Sequence, residues 1–322
     1  MWFFKRTQQE SEKPDRLTTA RFVTADIIEI PSIDLTGRYR RSPNGAYVLA
    51  WADFDPSGRV GGYRKSGYGR YVLLHNGVIV ASGQLERPND GHVANNGTFV
   101  LSDGLFGDVL GGYFCIFGSD GSQLVRHRFT ANLFSSGISD DGTYAVCQLC
   151  NSDTDDGGKL VFFDVVARRL LWKIQPETGW AQLYHFDAPK RTLGLAYRDL
   201  GTFAYTFEGT FVDQQRWEEA QIRSGTGYAV LAIARERCRV SAKPLSEDDA
   251  AHLLHLIAVA AERLSKYPKE LAQAERLAGE VYEATGNLGA ARERYQTALG
   301  LDPRCGVKQR LKALEKMTGQ RD

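Results

Sequence analysis

The sequence predicts an all-β part followed by an all-α part: a small β-propeller of about four blades, closed or left as an incomplete arc, then a short helical domain. Three observations carry this. A tight polar turn feeding a strand recurs as SPNGAYVLAW (Ser42 to Trp51), ANNGTFVLSD (Ala94 to Asp103), SDDGTYAVCQ (Ser139 to Gln148) and, more faintly, APKRTLGLAY (Ala188 to Tyr197). In the first copy Tyr47, Leu49 and Trp51 lie on one side of the strand and Val48 and Ala50 on the other. A strand apolar on both faces must be covered on both. Past residue 246 the apolar residues take up helical spacing instead.

A chain of 322 residues has room for two domains. The boundaries expected are a flexible N-terminal segment over 1–19, a propeller-like domain over 20–217, a linker over 218–245 and a helical domain over 246–322. Lys and Arg number 40 against 39 Asp and Glu, so no global charge draws the chain to nucleic acid or a membrane. The 33 glycines and only 2 methionines favour many tight turns over a long helical body. Five cysteines at irregular positions fit a reducing compartment better than a disulfide framework. Cys147 and Cys150 fall on opposite faces of a strand and read as buried apolar residues. The opening MWFFKRTQQESEK lacks the longer apolar core of a secretory signal, and no run approaches a membrane span. Cytoplasmic location is the expectation.

Taken in order, Arg21 to Ile30 is a strand candidate outside the repeat, free to close the last sheet. The first-turn glycines Gly45, Gly97 and Gly142 are then spaced 52 and 45 apart. A second, hairpin turn carries Gly77, Gly121 and Gly209, and the absent member falls near Val166 in KLVFFDVVARRLLWKI. Asn-Gly and Asp-Gly supply the positive φ that short hairpins require, so backbone geometry enforces the period. A period in the forties points to propeller blades. After Trp217 the chain is ambiguous, with Tyr228 to Ile233 readable as strand or helix. Ser246 then caps a helix with Asp249 at the capping-box position, and Leu253, Ile257, Ala260 and Leu264 share one face.

Two resemblances follow from these residues. SPNGAYVLAW and SDDGTYAVCQ resemble the turn and strand of WD-repeat and TolB-like propellers, and KLVFFDVVARRLLWKI resembles a quinoprotein-type hairpin ending in a docking tryptophan, here Trp172. They cover about Leu35 to Trp217, without the Trp-Asp dipeptides of true WD repeats and with only four countable units. LAGEVYEATGNLGAARERYQTALGLDP resembles a tetratricopeptide repeat through Gly279, Tyr282, Gly286, Ala291, Tyr295, Ala298 and Pro303. It departs from that family at Glu275 and Ala278. The resemblance implies two antiparallel helices held close by small residues, with Tyr282 and Tyr295 filling the gap.

The loop between the second and third strands of the first unit, FDPSGRVGGYRKSGYGR, supplies the candidate binding residues Arg59, Tyr63, Arg64, Lys65, Tyr68 and Arg70. Basic and aromatic residues among glycines suit a protein partner or a nucleic-acid strand, and equally a solvated loop. The matching loop of the third unit, NSDTDDGGK, offers Asp153, Asp155 and Asp156 to a hard cation, but its glycine and distal acid do not fit a known Ca²⁺ loop, and a solvated turn is the plainer account. No nucleophile is paired by motif with a base, and no cofactor motif is present. The expectation is a non-catalytic scaffold or adaptor that binds protein partners in a larger complex through propeller rim loops and a helical groove. The alternatives are a nucleic-acid-binding accessory protein using residues 59–70, and a hydrolase or ligand-binding propeller with a central pocket that no motif marks.

Overall fold

The computed structural model of the chain describes residues 19–53, 67–106, 109–241 and 245–318. The expected flexible segment 1–19 therefore lies, but for its last residue, outside the described residues. The chain divides into two compact units: the residues up to Tyr197 with Thr202–Val212, and Arg198–Gly201 with the chain from Asp213 onward.

The first unit holds four sheets, each a meander of sequence-adjacent strands. The first sheet has six strands: β1 (Arg21–Phe22), β2 (Ile27–Ile30), β3 (Leu35–Arg41), β4 (Tyr47–Ala52), β5 (Gly69–His75) and β6 (Val78–Leu85). The second contains β7 (Arg87–Val93), β8 (Phe99–Gly104), β9 (Gly112–Phe117) and β10 (Gln123–Phe129). The third contains β11 (Leu133–Ile138), β12 (Tyr144–Leu149), β13 (Leu160–Asp164) and β14 (Arg169–Ile174). The fourth has three strands: β15 (Leu183–Asp187), β16 (Thr192–Tyr197) and β17 (Gly201–Thr206).

Alternation along the middle strands assigns each of the two inner sheets to two neighbours. Leu49, Trp51, Tyr71 and Leu73 of the first sheet pack with Phe99, Leu101, Cys115 and Phe117 of the second. Their chain neighbours Val100, Phe114 and Ile116 point the other way, onto Ala145, Cys147, Val161 and Phe163 of the third. Val146, Leu160 and Phe162 in turn face Leu193, Leu195, Tyr205 and Phe207 of the fourth. Successive sheets are thus stacked face to face, and the first strand of each abuts the sheet before it. This is the packing of propeller blades.

One expectation is corrected here, and one alternative left open by the sequence is decided. The segment Arg21 to Ile30 is a hairpin, not one strand, and it extends the first sheet through β2–β3 pairing instead of completing the fourth. A turn in which Thr24 Oγ1 donates to Asp26 and accepts from the Ile27 N–H splits it. The arc also stays open among the described residues, with no broad packing between the first sheet and the fourth. In the last repeat the face opposite Leu193 and Leu195 carries His185, Thr192, Gly194 and Thr202 together with Leu183, which is 60% exposed. That face suits solvent, not another sheet. The fourth outer strand is also cut short, to a bridge between Tyr205 and Phe211.

The repeated turns are built alike. Ser42 Oγ donates to Asn44 Oδ1 and accepts from the Tyr47 N–H, and Ser139 does the same with Asp141 and Tyr144. Gly45, Gly97 and Gly142 all take positive φ, as do Asn76 and Gly77 in the Asn-Gly hairpin. Where the repeat lacks its glycine, Arg168 and Arg191 take the left-handed conformation. Consecutive turns are also joined: Asn95 accepts from the Asn44 N–H at 2.7 Å and donates its own N–H to Asp140. Trp172 docks as its motif suggested, its indole N–H reaching the Phe207 carbonyl at 2.8 Å beside Gly209.

The second unit contains α1 (Gln214–Ser224), α2 (Gly227–Val240), α3 (Glu247–Arg263), α4 (Pro268–Ala284), α5 (Leu288–Leu301) and α6 (Lys308–Thr318). The stretch expected as a linker, 218–245, carries most of α1 and all of α2. The ambiguous run at Tyr228 to Ile233 is helical because Val230, Leu231 and Ala234 form a buried helical face against α3, and Thr226 caps it. Ser246 caps α3 on the Asp249 N–H, and Leu253, Ile257, Ala260 and Leu264 are buried. The helices α2 and α3 pack as a pair, and so do α4 and α5. In the second pair, Tyr295 lies buried across Gly279 while Gly286, at φ 77, turns the chain between the helices.

Candidate functional site

The register of the repeat places equivalent residues side by side. Counting back from the first residue of each turn, Arg40, His92, Gly137 and Phe186 are two positions earlier, and Arg38, Asp90, Ser135 and Tyr184 four earlier. All of these but Arg38 line one cavity of about 250 Å³, to which β3, β7, β11 and β15 each contribute. All four sheets therefore share one pocket, along β3, β7, β11 and β15, lined by both polar and apolar side chains.

Its walls are cross-linked. Ser136 Oγ donates to Asp90 Oδ2 at 2.7 Å, joining the second and third sheets. Asp90 Oδ1 lies 3.7 Å from His92 Nε2. Ser135 and Tyr184 share a hydroxyl–hydroxyl bond of 2.8 Å, and Tyr184 donates onward to Gln148 Oε1 at 3.2 Å. Gln148 is fully buried and is itself held by the Ala181 N–H and the Gly179 carbonyl. A buried amide with its partners satisfied fixes the orientation of what it binds. Gly137 lets Tyr184 lie close, since a Cβ there would meet the ring at 3.1 Å.

Electrostatics leave the pocket nearly neutral. Burial lowers the His92 pKa below the ordinary histidine value, Asp90 opposes this, and Arg40 adds to it. The imidazole is therefore uncharged at neutral pH, and the Arg40 and Asp90 charges offset one another. Burial pushes the Tyr184 phenol well above its ordinary value, so it stays protonated as a donor. Ser136 gives its proton to a carboxylate, not to the imidazole, which is not the serine–histidine pairing of an activated nucleophile. At the edge of the pocket Phe134 stacks on Trp180 with centroids 4.8 Å apart; the two are 44% and 40% exposed, and Leu183 is 60% exposed.

The residues singled out from sequence are distributed otherwise. Arg59, Tyr63, Arg64 and Lys65 lie outside the described residues. Tyr68 is exposed and meets Phe106 edge-on. Arg70 donates to the carbonyls of Ile33 and Asp34, so its guanidinium anchors a turn. Asp153 and Asp155 are exposed, whereas Asp156 accepts from the Thr130 N–H and hydroxyl and from Lys173. Burial works to raise its pKa, but these bonds outweigh it and the net shift is downward. Asp156 thus ties β10 to β14 and is committed to protein partners. Among the described residues no three potential ligands gather for a metal. The pocket residues Asp90, His92, Ser135, Ser136 and Tyr184 were missed as a set, although the offset of four from the turn shared by Asp90, Ser135 and Tyr184 was readable.

No family model matches the chain, and no curated protein matches it in sequence. Solved structures similar to it include the computationally designed Ika8 protein, at 9% identity and a TM-score of 0.37 over 58% of this chain and 57% of that one. The periplasmic gluconolactonase PpgL of Pseudomonas aeruginosa is 12% identical, with a TM-score of 0.35 over 61% of this chain and 65% of that one. The Cps50 (Swd1) β-propeller domain of Myceliophteria thermophila is 10% identical, with a TM-score of 0.34 over 56% and 59%. The chain thus spans less than two thirds of each of these structures, and the propeller-like description rests on its own sheet packing.

Proposed function

We propose that the protein is a non-catalytic recognition scaffold that takes a protein partner, within a larger complex, on the first-strand side of its sheets. The observation that carries this is the exposed Phe134–Trp180 stack with Leu183 beside the pocket. Aromatic side chains held rigid yet open to solvent are favoured anchors at interfaces. The hydrogen bonding of Ser136 to Asp90 favours recognition over hydrolysis. The helical unit supplies a second surface, read as tetratricopeptide-like from the α2–α3 and α4–α5 pairs and the Tyr295–Gly279 contact. Arg235, Gln273, Arg276 and Glu280 line a charged hollow between α2 and α4. Cys115, Cys147, Cys150, Cys238 and Cys305 form no disulfide, in keeping with a cytoplasmic location. Among the described residues no helix is long and apolar enough to cross a membrane.

The test is affinity purification of the tagged chain after nuclease treatment, compared with Trp180→Ala/Leu183→Asp. Both positions are exposed, so the variant should fold, as circular dichroism would verify. A partner retained by the wild type and lost from the variant supports the reading. Identical recovery from both, or loss of the partner on nuclease treatment alone, refutes it.

A further inference from the structure

We infer that the pocket shared by the four first strands binds a small, neutral, polyhydroxylated ring, a monosaccharide or cyclitol, independently of any protein partner. The lining combines hydrogen-bonding side chains of both kinds on a rigid frame. Arg40 and His92 can donate, Asp90 can accept, and the Ser135 and Tyr184 hydroxyls complete a bonded chain ending in buried Gln148. Asp90 Oδ2 is taken by Ser136, while Oδ1 stands 3.7 Å from His92, beyond a good hydrogen bond, and retains acceptor capacity.

The charge count selects against ions. One guanidinium and one carboxylate offset each other, so neither an anion nor a cation gains net Coulomb energy to offset its desolvation. Hydroxyl groups, each both donor and acceptor, suit such a mixed lining. The remaining wall is aromatic: Phe134 and Phe186 line the cavity, and Trp180 stacks on Phe134 at its edge. Ring faces carry partial negative charge and attract C–H groups, the surface a sugar ring presents on its apolar side. A volume of about 250 Å³ is at the lower edge of ligand pockets, which suits one ring and not a chain.

The experiment is saturation-transfer NMR on the full chain with methyl β-D-glucopyranoside, D-ribose and myo-inositol as neutral probes. Glucuronate and glucosamine serve as charged controls. At least one neutral probe should bind saturably in the millimolar range, more tightly than either control. Trp180→Leu, an exposed change that spares folding, and Tyr184→Phe should each weaken it about tenfold, and Arg239→Ala, an exposed change on α2, should leave it unchanged. No saturable binding by any neutral probe, tighter binding by a charged control, or equal binding by Trp180→Leu and Tyr184→Phe overturns the proposal. Failure here leaves the scaffold reading intact, because that reading is judged by protein capture alone.

Discussion

Ser136 donates its hydroxyl proton to the carboxylate of Asp90 at 2.7 Å, a bond between residues 46 positions apart that pins β11 to β7. It joins the second and third sheets at the wall of the pocket, between the polar links that Asn95 makes to Asp140 and Asp156 makes to Thr130. A hydrogen bond to a charged group contributes about 1.5–3 kcal/mol. Ser136→Ala should therefore lower the unfolding free energy by about that amount in urea titration. In a double-mutant cycle with Asp90→Ala the two losses should not add, since either change removes the same bond. Additive losses would mean that the pair is not coupled.

The turn glycines should differ in tolerance. Gly45 and Gly97 both have positive φ, but a Cβ at Gly45 meets open space, while one at Gly97 would fall 2.6 Å from the Tyr47 ring. Gly45→Ala should cost about 1 kcal/mol, from backbone strain alone. Gly97→Ala should cost clearly more, because it also pushes apart the first two sheets. Thermal unfolding of the two variants side by side measures the difference, and equal melting temperatures would contradict the contact.

Asp103 gives stability an unusual pH dependence. Burial raises its pKa to about 6 from 3.8, against the pull of the Arg87 and Glu86 N–H groups. The folded chain thus holds this proton more tightly than the unfolded chain. Stability contributed by the group is full below about pH 4, falls as pH rises towards 6, and is level above. At about 1.4 kcal/mol per unit, the decline is at most about 3 kcal/mol. Asp103→Asn should flatten that slope, whatever its effect on absolute stability. Urea unfolding at pH 4, 5, 6 and 7 measures it, and an unchanged slope would assign the titration to another group.

Gly279 inverts the usual helix rule. Glycine to alanine within a helix ordinarily stabilises by about 1 kcal/mol. Here the added Cβ would lie 2.5 Å from the Tyr295 ring, which is fully buried and donates to Glu283 at 2.6 Å. Gly279→Ala should therefore destabilise the helical unit, by about 1–3 kcal/mol as overpacked sites do. Hydrogen exchange resolves the effect: amides of α4 and α5 should lose protection while those of β8 and β12 keep theirs. Stabilisation would show that the helices can move apart freely.

Local chemistry made much of this fold legible. The Ser-x-Asn/Asp-Gly turns, the Asn76-Gly77 hairpin, the Ser246 cap and the Tyr295–Gly279 fit all depend on residues near in sequence or on a single backbone angle, and they recur in the coordinates. What misled was pairing at longer range. Whether β2 joined β3 or the last sheet turned on competition between two edges, and the adjacent β3 won, because a short connection costs less closure entropy than one spanning the whole chain. The far face of the fourth sheet, with Gly194 where the other repeats have Val48, Val100 and Ala145, carried the signal that the arc ends there.

By itself, the order of the amino acids determined where the repeated turns fall, which strands are apolar on both faces and where the helices from Ser246 onward begin. Only the tertiary structure decided that Arg40, Asp90, Ser135 and Tyr184 meet. Each stands on a different strand, tens of residues from the next, and a recurring offset from the turn does not by itself bring the strands together. Stacking the sheets about their first strands turns a shared register into a shared pocket.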